Sequence, residues 1–399
     1  MPGAVDHKSP CEVGVPRPQD EPIPVVIVDG FLGGTGALLW GNFEHYLNIG
    51  HEDSGLKKRR TIFVRCVLQT RQASRVTFTK TLFWKSVGPV SSLHDRACEL
   101  FYALCGGTVD YGEQHALEHG HSRYGRTNQE GLYPEWSTGR PLHFLGHSMG
   151  GPTIVKLQWL MHTGFFGTHV HPDMVLSVTA ISSPLRGTQL VYILGERIDA
   201  APAVRPLSLG TALSKIVHII SFFSPPTHSP FDFHSESRKL SYRETSWKSF
   251  WKQLKKSDWA ESRDAAPFDV TFEAADEREA VFEGIPNKNS FYRAYAAEMV
   301  NLQVLKSFVV DNNLEDWKGT RRLFAVLDIF SPLYLSSRFM ASFDFSSLQP
   351  QPSFMSQVAT SHDGCDDLES GVLNYVDTTQ WRRRHVKGSH CPEYGMSTN

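Results

Sequence analysis

Short runs of apolar and β-branched residues recur along the chain and predict buried strands. They lie at residues 24–28 (PVVIV), 61–68 (TIFVRCVL), 142–145 (LHFL) and 175–181 (VLSVTAI). Short runs without polar alternation are typical of strands that are covered on both faces. Helical patterns separate these runs, so we predict an α/β fold in which helices flank a mainly parallel central sheet.

A long insertion between residues 187 and 268 contains two amphipathic helical candidates. The first spans residues 209–223 and is followed by Pro225 and Pro226. The second has large apolar residues at the spacing i, i+3, i+4 and i+7, namely Trp247, Phe250, Trp251 and Leu254. Two interpretations fit these faces: they pack on the sheet domain, or they form an apolar cap over a binding groove.

The length of the chain favours one domain with a large insertion, and its charge balance bears on its partners. The chain has 399 residues, and 40 Lys and Arg nearly balance 42 Asp and Glu. The chain has no excess of basic residues that could bind nucleic acid, so we expect no nucleic-acid partner. We assign the domain to residues 23–354, preceded by a disordered N-terminal segment at residues 1–22 and followed by an atypical tail at residues 355–399.

The N-terminal residues and the cysteines favour a cytoplasmic protein. Residues 1–22 are polar and lack the basic start and apolar run of a secretory signal. The longest apolar stretch, at residues 213–223, is too short to cross a bilayer, so we predict no transmembrane segment. Six cysteines form neither a CxxC pair nor a dense framework, which is typical of reduced thiols. We therefore expect no structural disulfide.

Residues 146–150 read Gly-His-Ser-Met-Gly and match G-x-S-x-G, the pattern of a serine on a sharp turn between a strand and a helix. The glycines are needed because a Cβ atom would collide across such a turn. An apolar strand leads in and a plausible helix start follows, which is the context that a chance match lacks. We predict Ser148 as a nucleophile, with the amides of Met149 and Phe31 as oxyanion donors. The alternative for the loop at Phe31 is a plain tight turn.

Four segments carry the most specific signal in the chain. In order, they read DGF, VGPVSSLHDRACELFYALCGGTVDYGEQHALEHGHSRYGRT, GHSMGG and VLSVTAISSPLRGTQLV. This order resembles the zinc-containing true lipases of Gram-positive bacteria and their fungal and plant relatives, over roughly residues 24–354. The resemblance implies an α/β-hydrolase fold with a large helical lid at about residues 187–268, and hydrolysis of acyl glycerols and simpler esters.

The resemblance also implies one zinc ion that holds part of the lid region. Carried over position by position, its ligands are Asp95, His115, His121 and Asp269. Two imidazoles and two carboxylates leave no open position, which suits structural zinc and not water activation. Without the resemblance, the histidine-rich loop fits solvated surface, since its spacing matches no standard zinc finger. Calcium, which some relatives bind, has no recognisable site in this sequence.

The tail should supply the acid and the histidine of the triad, because these follow the serine in this fold. Asp363 echoes the acid turn of the family, and His385 and His390 follow it more closely than the family pattern requires. We take Asp363 and His390 as candidates; the alternative is that they are ordinary polar residues. A further hypothesis is that a shifted reading frame or misplaced splice junction has replaced the ending of the family.

These inferences predict a lipase or carboxylesterase that cleaves triacylglycerol-like acyl esters through an acyl-enzyme. Its partners would be lipid or small ester substrates, with transient contact at a lipid interface. The alternative, supported by the tail, is a catalytically incomplete hydrolase-fold protein that binds lipid or a partner through the cap groove. Acyl transfer to an alcohol other than water would use the same residues.

Overall fold

The computed structural model describes a core of the chain and leaves several segments outside it. The described residues are 18, 21–31, 43–49, 57–64, 86–223, 234, 246–295, 340, 343–348 and 350–353. Most of the N-terminal segment and the whole tail lie outside the described residues, and with the tail the candidates Asp363, His385 and His390.

The centre of the fold is a five-stranded parallel sheet. The described residues contain seven strands: β1 (Val25–Val28), β2 (Thr61–Val64), β3 (Gly107–Asp110), β4 (Tyr124–Asn128), β5 (Leu142–His147), β6 (Val175–Ile181) and β7 (Phe291–Tyr295). The sheet order is β2-β1-β5-β6-β7, and every neighbouring pair is parallel. β3 and β4 form a separate antiparallel pair. The predicted parallel sheet is confirmed.

Helices cover this sheet. Those described are α1 (Phe43–Leu47), α2 (Leu93–Cys105), α3 (Glu113–His119), α4 (Gly150–His162), α5 (Leu190–Leu194), α6 (Leu209–Phe223), α7 (Trp247–Lys255), α8 (Ala266–Asp269) and α9 (Phe272–Ala280). α4 packs on β5 and β6, and α2 packs against α4. Val26 and Val28 of β1 join the core on one face, and Val25 and Ile27 join a second cluster on the other. β1 is therefore buried on both faces, as its unbroken apolar run predicts.

The described part of the insertion at residues 187–268, called the cap below, includes the packed helices α6 and α7 at the predicted positions. Phe222 stacks on Phe250 with ring centroids 4.3 Å apart. Trp259, beyond α7, donates from its indole nitrogen to the Val90 carbonyl oxygen at 3.1 Å. Trp247 and Trp251 are each 58% exposed, so the predicted apolar face is only partly buried. Among the described residues, no helix is long and apolar enough to cross a membrane.

The two cysteines within the described residues differ in state. Cys98 is free and buried, whereas Cys105 is disulfide-bonded. The expectation of no structural disulfide was wrong, because spacing along the chain does not reveal which cysteines the fold brings together.

A fully buried arginine, Arg96 of α2, joins three segments that meet behind the sheet edge. Its side chain is 0% exposed. Nη1 donates to the Gly88 carbonyl at 2.7 Å, Nε donates to Thr153 Oγ1 at 3.0 Å, and Nη2 donates to the Asp29 carbonyl. Thr153 Oγ1 in turn donates to the Met149 carbonyl at 2.7 Å. One guanidinium group thus fixes the loop before α2, the end of β1 and the first turn of α4.

We expect Arg96→Lys to lower the free energy of unfolding by roughly 2–4 kcal/mol. A lysine ammonium cannot reproduce the planar fork of donors, so buried acceptors would be left unsatisfied at about 1–3 kcal/mol each. Urea unfolding followed by tryptophan fluorescence measures the change. The matched control is Arg263→Lys, because Arg263 is 47% exposed and pairs with Glu277 at the surface, where loss of the pair costs about 1 kcal/mol or less. Equal losses in the two variants would contradict the role of Arg96 as a buried link.

Candidate active site and metal centre

Ser148 lies in a strained turn between β5 and α4. β5 ends at His147 and α4 begins at Gly150. Ser148 has a φ of 51°, a left-handed value that is uncommon for residues other than glycine. Its amide donates to the Ile181 carbonyl of β6 at 3.0 Å. The strand, turn and helix that the G-x-S-x-G pattern predicts are therefore all present.

Glycines surround this turn because the backbone approaches itself too closely for a side chain. A Cβ atom on Gly146 would lie 2.4 Å from the Gly151 amide nitrogen, and one on Gly150 would lie 2.0 Å from the Val28 carbonyl oxygen. A Cβ atom on Gly30 would lie 2.6 Å from the Cβ of Ser148. The loop that follows β1 therefore lies directly against the serine.

Phe31 and Met149 have their amides beside Ser148. Phe31 follows Gly30 in the loop after β1, and Met149 follows Ser148 in the turn. All three line one cavity. Within the part of the chain that the structure describes, neither amide is engaged in a hydrogen bond. A developing oxyanion needs N–H groups that have no other acceptor, so the assignment of the Phe31 and Met149 amides as oxyanion donors stays a prediction.

An apolar cavity of about 130 Å³ opens above Ser148. The volume is far larger than the roughly 10–15 Å³ that holds one water molecule, so the cavity can take a ligand group. The cap supplies much of its wall through Leu194, Leu213 and Trp259. The cap thus packs on the domain, through Trp259, and also covers a groove at the serine. Of the two amphipathic helices, α6 lines the cavity with Leu213, whereas none of the four large apolar residues of α7 lines it. The interpretation of the α7 face as a cover over the groove therefore stays a prediction.

A second group of ionisable side chains converges beside the β3-β4 hairpin: Asp95, His115, His121 and Asp264. Their ligand atoms lie within 4.8 Å of one another. His115 Nε2 is 3.2 Å from Asp95 Oδ1 and 3.3 Å from Asp264 Oδ1, and His121 Nε2 is 3.3 Å from Asp264 Oδ2. A tetrahedron with bonds of about 2.0–2.1 Å has edges of roughly 3.3 Å, which these three distances match. The distance from His121 Nε2 to Asp95 Oδ1 is longer, at 3.9 Å.

The surroundings orient both imidazoles towards this cluster. His121 Nδ1 lies 2.8 Å from the Ser122 carbonyl oxygen, which fixes the proton on Nδ1 and leaves the lone pair on Nε2. His94 stacks on His115 with centroids 3.7 Å apart. His115 Nε2 is buried and makes no hydrogen bond among the described residues. A buried ring nitrogen without a hydrogen bond, aimed at two carboxylates, is what a metal ligand requires.

Asp264, and not Asp269, completes the cluster, which corrects the expected ligand set. Asp269 Oδ2 accepts a hydrogen bond from the Leu93 amide at 2.6 Å, at the start of α2. Burial raises the pKa of Asp269 to about 6, against the opposing effect of Arg278. Both aspartates lie within the segment 263–270, and the turn into α8 decides which one faces the histidines. The sequence contains one sign that Asp264 could be the ligand: it is a second acid, five positions before Asp269.

A buried Ser-His-Glu chain lies elsewhere in the fold. Ser86 Oγ is 2.9 Å from His234 Nε2, and His234 Nδ1 is 3.0 Å from Glu99 Oε1. Glu99 also accepts hydrogen bonds from the Gly88 amide at 2.6 Å and the Tyr111 hydroxyl at 2.9 Å. Ser86 is buried and does not line the cavity at Ser148. Within the part of the chain that the structure describes, this network joins His234 to the domain and buries the serine.

Comparison with known proteins shows that this chain is similar to lipases. A family profile described as lipase-like, C-terminal domain, matches residues 22–314. Lipase 1 of Staphylococcus aureus (strain NCTC 8325 / PS 47) is 26% identical over 352 residues, which cover 77% of this chain and 46% of that lipase. The lipase of Staphylococcus hyicus is 26% identical over 357 residues, with coverage of 85% and 48%. The chain spans about half the length of these relatives.

Two solved structures are similar over a comparable range. The crystal structure of Staphylococcus hyicus lipase has a TM-score of 0.48 and 26% identity, and the match covers 70% of this chain and 68% of that one. The structure of EstA from Clostridium botulinum has a TM-score of 0.43 and 26% identity, with coverage of 68% and 59%.

Gly150→Ala should disrupt the turn that holds Ser148. Its new methyl group would meet the Val28 carbonyl oxygen at 2.0 Å, and overpacking of this kind costs about 1–3 kcal/mol or more. Thermal unfolding monitored by circular dichroism measures the loss. Gly284→Ala is the control, because a Cβ atom there would have nothing within 4 Å. An unchanged unfolding midpoint for Gly150→Ala would show that the contact is not as close as described.

Proposed function

The chain belongs to the lipase-like family whose profile spans residues 22–314, and from this premise we propose that it hydrolyses acyl esters with Ser148 as the nucleophile. One observation carries the proposal: Ser148 stands on a left-handed turn at the base of an apolar cavity. The unengaged amides of Phe31 and Met149 beside it support the same reaction. The Staphylococcus relatives bear the name lipase, in agreement with ester cleavage.

In the proposed mechanism, Ser148 Oγ attacks the ester carbonyl carbon while a histidine takes the hydroxyl proton. The amides of Phe31 and Met149 donate to the oxyanion. Collapse of the tetrahedral intermediate expels the alcohol, which receives the proton from the histidine, and leaves an acyl-enzyme. Water then attacks the acyl carbonyl carbon and gives a proton to the histidine. Collapse of the second tetrahedral intermediate breaks the bond to Ser148 Oγ, which receives that proton from the histidine, and releases the acid. We assign the histidine to His390 and its orienting acid to Asp363, both outside the described residues.

The cap favours a substrate that has a long apolar chain and that comes from a lipid surface. Apolar side chains line most of the cavity, which suits an acyl group. On the outside of the cap, Phe223, Trp247 and Trp251 are exposed. Exposed lysines flank these aromatics along α7 and just after it, namely Lys248, Lys252, Lys255 and Lys256. Aromatic and lysine side chains on one helix favour transient binding at a membrane or droplet surface.

We also propose that Asp95, His115, His121 and Asp264 hold a zinc ion. Zinc binds imidazole nitrogen and carboxylate oxygen in tetrahedral sites, and this cluster offers two ligands of each kind. Four protein ligands close the coordination shell, so the ion would act structurally and tie α2, the hairpin loop and the cap together. The ester chemistry stays with Ser148 and the residues around it.

Ser148→Ala should reduce the hydrolysis of p-nitrophenyl butyrate and p-nitrophenyl palmitate by about four to six orders of magnitude, because the acyl-enzyme can no longer form. Release of p-nitrophenolate measures the rate. A fluorophosphonate probe should label the wild type at Ser148, which identifies the reacting atom independently of turnover.

The matched pair His390→Ala and His385→Ala tests the assignment in the tail. The first should lose activity as Ser148→Ala does, and the second should retain it. Equal background rates for the wild type and Ser148→Ala would reject ester hydrolysis and leave a hydrolase-fold protein that only binds its ligand.

Asp264→Asn should weaken zinc binding by more than the roughly 10–100-fold that is typical of losing an outer-shell partner. Asp269→Asn, the matched control, should leave the affinity near that of the wild type, because Asp269 binds the Leu93 amide instead. Competition with a chromophoric chelator measures the affinity, and the unfolding midpoint with and without chelator measures the stabilisation. Weaker binding in Asp269→Asn than in Asp264→Asn would overturn the assignment of Asp264 as the fourth ligand.

A further inference from the structure

One carboxyl group lies in the mostly apolar wall of the cavity above Ser148. Glu196 follows α5, and its amide donates to the Val191 carbonyl at 3.0 Å. Its backbone also pairs with Val204 in an isolated antiparallel bridge. The side chain is 4% exposed and lines the same cavity as Ser148. The fold therefore holds Glu196 on a tight backbone segment, and the residue lines the cavity that a substrate chain would enter.

No side chain of the described residues neutralises Glu196. Its Oε1 atom is buried and has no hydrogen-bond partner within that part of the protein. The charged groups that act on it are both acidic, Glu261 beyond α7 and Glu273 on α9. Burial, and then these two acids, raise the pKa of Glu196 to about 8. At pH 7 the group is therefore mainly a neutral carboxylic acid, which can both donate and accept a hydrogen bond.

A buried polar group without a partner costs about 1–3 kcal/mol. A leucine of similar volume would line an apolar pocket without that cost. If a plain hydrocarbon chain filled the cavity, it would exclude water and leave Glu196 unsatisfied. A chain that carries an oxygen atom at the right position would instead complete the hydrogen bond. Pockets that hold such a polar group discriminate strongly against analogues that lack its partner.

We propose that Glu196 is a specificity-determining residue that selects esters whose chain carries a hydroxyl or similar oxygen function where it meets this carboxyl. The inference rests on the proposed hydrolysis at Ser148 and adds the substrate class. The oxygen can come from either side of the ester, on the acyl chain or on the alcohol chain. Both sources present the same chemistry to Glu196.

The test compares kcat/KM for p-nitrophenyl dodecanoate with that for its monohydroxylated forms, with the hydroxyl moved along the chain. A second series places the hydroxyl on the alcohol, as in octanoate esters of octanol and of octanediols. In the wild type, at least one hydroxylated ester should be favoured over its plain counterpart by about 10- to 100-fold. The series that responds identifies which chain enters the cavity.

Two variants separate recognition from packing. Glu196→Gln keeps a donor and an acceptor at nearly the same volume, so it should retain most of the preference. Glu196→Leu should lose the preference and gain activity on plain esters, a change in ratio that general destabilisation does not produce. A ratio of hydroxylated to plain ester that is the same in the wild type and Glu196→Leu, for every position in both series, would overturn the proposal.

Binding to inactive protein keeps this test independent of turnover. Methyl dodecanoate and methyl hydroxydodecanoates are titrated calorimetrically into Ser148→Ala and into Ser148→Ala with Glu196→Leu. If the wild type has no esterase activity, ester hydrolysis fails, and the calorimetry still decides the role of Glu196. Tighter binding of a hydroxylated ester only when Glu196 is present supports the inference, and equal binding rejects it. If Glu196→Leu does not fold, Glu196→Gln and Glu196→Ala provide the same comparison.

Discussion

Three backbone segments approach Ser148 so closely that only glycine fits where they touch. Gly30 contacts the serine from the loop after β1, Gly150 lies against the carbonyl of Val28, and Gly146 faces the start of α4. From behind, the buried guanidinium of Arg96 binds the end of β1 and the first turn of α4, and it ties both to the loop before α2. The position of the hydroxyl, the two amides beside it and the floor of the cavity all follow from this close approach.

The sequence predicted those parts of the fold whose signals are local. The apolar runs of β1, β5 and β6 and the amphipathic pattern of α6 match the observed elements, because burial on two faces or on one stripe leaves a periodic trace. β7 was not predicted, since its sequence, FYRAY, has exposed residues at alternate positions and lacks the apolar run of β1, β5 and β6.

Within the candidate site, the elbow was predictable and its partners were less so. The G-x-S-x-G pattern located Ser148 because the turn requires glycines at fixed spacing. The choice between Asp264 and Asp269 depends on how the chain turns into α8, which spacing does not encode. The local sequence gives no sign that Glu196 lines a cavity, because distant segments of the chain form the apolar wall around it. Asp264 and Glu196 differ from the other acidic residues of the chain in what lies near them in space, which residue type does not reveal.

The left-handed backbone of Ser148 has a consequence for how stability is distributed. A side chain held at a φ of 51° costs of order 1–3 kcal/mol, which the surrounding contacts must offset. A glycine at this position would relax the strain and raise the stability of the fold while removing the hydroxyl. Stability and reactivity therefore make opposite demands on this one residue. Selection for stability alone would favour glycine over serine at position 148.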